Sequence, residues 1–204
     1  RVTKTDIKKP FGLALDTLGA LYVTAEELEF SKKIKDAIGK VFADGVLSRF
    51  ASKLKNPRGL ALDHSGNLYV ADGEGDEHGR ILRLRAPPSP TLAFPSFTNQ
   101  DSLTLHGKTE ASSRIDAFSN DSANPITVST QDGSFDLTLN LKLNNQNFLD
   151  GFTTVHNGQG LTSAPAELTI THDNIAPLIA NLQPVSGSFL SIKTPLIAAD
   201  FIDA

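Results

Sequence analysis

The 204-residue chain contains no cysteine, no methionine and no tryptophan, and only two tyrosines. Without cysteine there can be no disulfide, no thiol nucleophile and no cysteine-ligated zinc or iron–sulfur centre. No apolar run is long enough to span a bilayer as a helix, and there is no charged-then-apolar leader pattern. Three signatures of enzymes are also missing: a G-x-S-x-G elbow, a phosphate-binding loop and an H-E-x-x-H pair. No initiator methionine precedes Arg1, so the chain is expected to be a processed or excised piece of a longer protein or assembly.

Net charge is −4, distributed unevenly. Residues 1–86 carry 15 basic and 12 acidic side chains, whereas residues 87–204 carry 4 and 11. Such a change of sign predicts a domain boundary. Neither half has basic clusters interleaved with aromatics, so nucleic acid is not an expected partner.

An internal repeat occupies the first part. Residues 10–23 read PFGLALDTLGALYV and residues 57–70 read PRGLALDHSGNLYV, identical at ten of fourteen positions. The offset is constant at 47 residues from Pro10 to Pro57, Asp16 to Asp63 and Tyr22 to Tyr69. Gly-Leu-Ala-Leu suits a strand buried on both faces, Asp-x-x-Gly a tight turn, and Leu-Tyr-Val a returning strand. Ahead of the second copy, Asp44-Gly45 between two apolar runs predicts a type I′ hairpin. Each period would then contribute four strands. Between the copies, residues 24–38 read either as a short amphipathic helix or as an irregular strand insertion. Thr24 with Glu27 fits a capping box, and Phe30, Ile34 and Ile38 recur every four residues.

Pro87, Pro88 and Pro90 form a stiff linker. Beyond it, Thr, Ser and Asn alternate with apolar residues, predicting strands near 102–107, 114–118, 126–130, 135–143, 148–156 and 166–171. The alternation is cleanest at Phe135, Leu137, Leu139, Leu141 and Leu143, which fall on one face. Short antiparallel strands at this spacing predict a β-sandwich.

The repeat, above all Asn56–Asp72 followed by Gly79-Arg80-Ile81-Leu82-Arg83-Leu84, resembles the NHL repeat of β-propellers over about residues 8–85. The phrases Leu105-His-Gly-Lys-Thr-Glu110, Gln131-Asp-Gly-Ser-Phe-Asp-Leu137 and Leu168 through Pro177 resemble bacterial Ig-like modules over about 91–177. Residues 178–204 resemble the opening strands of a further module. These resemblances imply an all-β chain with three parts. Residues 1–86 would be two four-stranded blades of an incomplete propeller, 87–177 an Ig-like antiparallel sandwich, and 178–204 the start of another module or an extended tail.

The function implied is a non-catalytic structural or interaction segment of a secreted or cell-surface bacterial protein. Blades would act as a binding platform and Ig-like modules as spacers, with protein partners or neighbouring copies of the chain. The alternative is a fragment of an NHL-propeller enzyme, lyase or hydrolase, with an Ig-like stalk. No residue is a candidate for catalysis or for binding an organic cofactor. Histidines 64, 78, 106, 156 and 172 have no metal-binding spacing and are expected at the surface or in turns. One motif offers hard-cation chemistry: Asp72, Glu74 and Asp76 set carboxylates at alternate positions of a glycine-bearing loop, as calcium ligands or as a solvated acidic loop. The Ig-like resemblance adds Asp173, at the module junction, as a further calcium candidate.

Overall fold

The computed structural model describes residues 7–29, 33–73, 78–120, 122, 124–183 and 198–202. Every regular element among them is a strand. The first sheet takes β1 (Ile7–Leu15), β2 (Leu21–Glu29), β4 (Ala37–Val41) and β5 (Leu47–Ala51) in antiparallel order, with β3 (Lys33–Ile34) paired to the end of β2. The second holds β6 (Pro57–Leu62), β7 (Leu68–Asp72) and β8 (Arg80–Leu84). The predicted four strands per period are therefore present in the first unit, while the second has three among the described residues.

Both repeat units turn in the same way. Asp16 and Asp63 each open a three-residue loop in which the residue three positions on is a glycine with positive φ, 81° at Gly19 and 83° at Gly66. The Asp44-Gly45 hairpin takes the same form, because Gly45 alone has positive φ and its amide bonds back to Phe42. The expected type I′ turn needs both central residues left-handed, so the observed turn is a type I turn closed by a glycine bulge.

Of the two readings of residues 24–38, the irregular strand insertion is the one found: among the described residues of that stretch every regular element is a strand. Thr24 does not cap a helix, since its hydroxyl donates to the Arg58 carbonyl of the second unit. β2 instead runs on to Glu29 and returns through β3, held by Lys8 against Glu27 and Glu29 on the neighbouring strand. The four-residue spacing of Ile34 and Ile38 spans a strand reversal; Phe30 lies outside the described residues. Cross-strand pairing overrode a local helical pattern. The Gly-Leu-Ala-Leu run is also buried on one face only. Ala14 packs inward, whereas Leu13 and Leu15 are 58% and 65% exposed.

The sandwich pairs two sheets. One consists of β9 (Thr91–Ala93), β11 (Ser102–Lys108) and β14 (Ser134–Asn140). The other runs β10 (Phe97–Thr98), β16 (Ala166–His172), β15 (Gln146–Val155), β12 (Ser113–Ser119) and β13 (Ile126–Thr130). The six expected strands fall within two residues of their predicted bounds, apart from the end of β14, while β9 and β10 were not expected. Leu137 and Leu139 from one sheet meet Ile115, Leu149 and Ile170 from the other in a single core. The expected face holds through Leu141, but Leu143 lies beyond the end of β14 and is exposed. Among the described residues the last strands, β17 (Leu178–Gln183) and β18 (Ala198–Ile202), pair only with each other.

Candidate functional site

The two repeat units and the sandwich share one apolar cluster. Tyr22 and Ile38 come from the first unit, Leu68 and Val70 from the second, and Leu161 from the loop between β15 and β16. That loop leaves β15 through three left-handed residues, His156, Asn157 and Gly158. Its base is stitched to β15 by the Ser163 amide donating to Thr153 O and the Thr153 amide donating to Ser163 Oγ. A short chain reversal anchored in this way pushes Gly160, Leu161 and Thr162 outward against the repeat pair.

Polar groups ring that contact. Lys40 Nζ donates to the Gly160 carbonyl at 2.6 Å, and Tyr22 Oη reaches the same oxygen at 3.4 Å. Asp16 Oδ1 accepts from the Leu18 and Ala20 amides of its own turn, while Oδ2 accepts from Tyr22 Oη and Thr162 Oγ1. On the sandwich side Arg114 grips Asp116, which also accepts from Thr127. A cavity of 460 Å³ opens between the two parts, lined by Asp16, Lys40, Phe42, Arg114, Gln159 and Thr162 among others.

Lys40 is 2% exposed. Its ammonium sits 5.3 Å from the Tyr22 ring and 5.1 Å from the Phe42 ring, the range of cation–π contact. Burial pulls its pKa down to about 8, with Asp16 drawing it back up and Arg114 pushing it further down. Burial, then the Asp16 carboxylate, holds the Tyr22 phenol far above its ordinary range. The pair is a hydrogen-bonding clasp: a strong donor from the repeat, an acceptor carbonyl from the sandwich, and aromatic faces that screen both from water.

The candidate calcium ligands fall elsewhere. Asp72 Oδ2 accepts from Arg80 Nε and Nη2 at 2.9 and 2.7 Å, and Oδ1 accepts from the Lys55 amide at 2.6 Å. This buried carboxylate is thus already matched by a guanidinium. Glu74 and Asp76 lie outside the described residues. Asp173 Oδ1 accepts from the Ile175 amide, beside a 300 Å³ cleft formed with Asn144, Gln146 and Thr171. Among the described residues no group of three His, Asp or Glu side chains comes together to hold a metal ion.

One histidine departs from the surface expectation. His172 is fully buried, its Nδ1 accepting from the Asn144 amide and its Nε2 facing Asp101. The strand alternation of β16 puts Leu168, Ile170 and His172 on one face, so the signal was present in the pattern. The clasp had no comparable signal. Lys40 meets Gly160 across 120 residues, and Asp16 meets Thr162 across 146.

No protein-family model and no curated protein sequence matches the chain. Among solved structures it is similar to a biofilm associated protein, BSP domain, at 14% identity and a TM-score of 0.32. The likeness covers 84% of this chain, which spans 30% of the length of that one.

Proposed function

We propose that the chain is a non-catalytic structural and interaction segment of a larger secreted or cell-surface bacterial protein. In this reading residues 1–86 are NHL-type blades that serve as a binding platform, and the sandwich is an Ig-like spacer. The observation that supports it most is the Leu161 insertion. A sandwich loop contributes a core residue to the repeat pair, and the charged groups at the junction are spent on the protein's own carbonyl, hydroxyl and carboxylate partners. Such a junction transmits force and fixes orientation, as a spacer requires, and the partly polar interdomain surface is reinforced by apolar packing.

Two measurements test this reading. Calorimetry of the 204-residue chain should give one cooperative transition for repeat pair and sandwich together; two well-separated transitions would remove the rigid-spacer argument. Antibodies against the chain should label intact, unpermeabilised cells of the source organism. Labelling only after lysis would overturn the surface assignment.

A further inference from the structure

Among the described residues the second repeat unit is one strand short of the first, and register defines where that strand would lie. β4 pairs with β2 as Val41 to Leu21, Lys40 to Tyr22 and Ile38 to Thr24. β8 pairs with β7 as Leu84 to Leu68, Arg83 to Tyr69 and Ile81 to Ala71. The 47-residue offset makes Leu68, Tyr69 and Ala71 the equivalents of Leu21, Tyr22 and Thr24, so Arg83 stands where the first unit has Lys40. Each cation lies near its tyrosine ring, at 5.3 Å for Lys40 and 6.0 Å for Arg83. The outer side of β4 carries β5, and Ile38 is fully buried. The outer side of β8 carries no strand among the described residues, and its equivalent Ile81 is 70% exposed. Among those residues no backbone group of β8 bonds outside its ladder with β7.

The next strand along the chain does not fill this place. β5 follows β4 through residues 42–46, but β9, which follows β8 through residues 85–90, is drawn into the sandwich against β11. The linker holds it there: the Ala86 amide donates to Asn67 Oδ1, Ser89 Oγ donates to the Ala164 carbonyl, and three prolines stiffen the path. The open edge thus arises within the chain, where β9 is diverted. Its chemistry selects the occupant. Leu82 and Leu84 pack against the cluster shared with the first unit, whereas Ile81, Arg83 and Arg85 face solvent. Asp72 pairs with Arg80, but among the described residues neither Arg83 nor Arg85 has an ion-pair partner. A second β8 laid along this edge would set arginines against arginines, and like charges across a ladder are destabilising. A segment with apolar residues on the leucine side and carboxylates on the arginine side matches both.

We propose that the outer edge of β8 captures an extended acidic segment of a partner protein, which adds as the fourth strand of the second unit. Main-chain hydrogen bonds supply the affinity, and Arg83 and Arg85 supply the preference for carboxylates. The inference rests on the reading of the repeat units as a binding platform and names the edge and the partner chemistry. Peptide binding in solution is independent of cell labelling and of the number of thermal transitions, so the two can fail separately.

NMR titration of the isotope-labelled 204-residue chain tests it, with blocked peptides at up to about 1 mM, the weak end of specific association. A peptide alternating valine and glutamate should shift the β8 amides and slow their hydrogen exchange. A peptide alternating valine and lysine should bind about tenfold more weakly, and R83E/R85E should reverse that preference. Wild type alone supplies a check free of substitutions. Methylating the backbone nitrogens of one alternate set of peptide residues should abolish binding, and methylating the other set should leave it nearly intact, since successive residues of a strand bond to opposite sides. Five results would each overturn the proposal: no shifts at β8, equal binding of both peptides, an unchanged preference in R83E/R85E, binding that survives either methylation, or concentration-dependent β8 shifts without peptide, which would make a second copy the occupant.

Discussion

Lys40 Nζ lies 2.6 Å from the carbonyl oxygen of Gly160, 120 residues further along the chain, and this bond closes the junction between repeat and sandwich. The donor is a lysine with almost no access to water, so folding must strip solvent from an ammonium group. Cation–π contact and the Gly160 carbonyl offset part of that cost.

The consequence is a stability that rises with pH. The folded-state pKa of about 8 lies below the ordinary 10.5, so between those values the unfolded chain binds more protons. At pH 7 both states are protonated and the full cost of burying the charge is present. As pH rises from about 8 to 10, folded Lys40 loses its proton first and stability climbs by up to about 3 kcal/mol. Above about pH 10 Tyr22 opposes the gain, because burial holds its phenol protonated while the unfolded chain ionises. Urea denaturation across pH 7–10 should show the rise in wild type, and Lys40→Met should flatten it. An equal slope in both would assign the effect to other groups.

Asp72 and Arg80 make a second prediction. Removing the guanidinium leaves a buried carboxylate with the Lys55 amide as its one hydrogen-bond partner among the described residues. Arg80→Ala should therefore lower stability by about 2–4 kcal/mol, more than an exposed ion pair would. Arg80→Lys should recover only part of it, since one ammonium cannot reproduce the two-pronged donation.

The same geometry bears on calcium. A cation at Asp72 would have to displace Arg80 from Oδ2 and compete with an amide at Oδ1. Isothermal titration of wild type with Ca²⁺ should give no binding heat, and chelation should leave the melting temperature unchanged. Saturable heat that disappears in a Glu74→Gln, Asp76→Asn variant would show that the acidic loop is a metal site after all.

Much of this architecture was legible in the sequence because it is local. The repeat, its Asp-x-x-Gly turns and the alternation of Phe135, Leu137 and Leu139 fix strands and faces within a few residues of chain. The helical reading of residues 24–38 failed because a local pattern competed with a distant partner. Thr24 and Ile38 fit a helix until Arg58 and the second unit claim them. The divergence between the copies was legible only as a difference. Ala20 stands where the second copy has Asn67, whose Oδ1 accepts from the Ala86 amide and so pins the start of the linker. Only the copy that precedes the sandwich needs that acceptor. The clasp was invisible because Lys40 and Gly160 lie in separate domains with nothing in their neighbours to pair them.

Two equivalent glycines separate turn strain from junction contact. Gly19 and Gly66 occupy the same turn position with φ of 81° and 83°. A Cβ at Gly19 would meet nothing, so Gly19→Ala costs only the left-handed conformation, about 1–2 kcal/mol. A Cβ at Gly66 would collide with the Thr162 carbonyl, which the sandwich loop lays directly against the turn. Gly66→Ala therefore adds steric conflict of about 1–3 kcal/mol to the same strain. Because the carbonyl belongs to the sandwich, the relief available is to withdraw the loop. The prediction is that Gly66→Ala, but not Gly19→Ala, raises hydrogen exchange at Leu161 and Thr162 and weakens the coupling between the two parts in calorimetry. Equal destabilisation by both substitutions, with Leu161 protection intact, would mean that the turn tolerates the contact and that the junction is held by Lys40 and Leu161 alone.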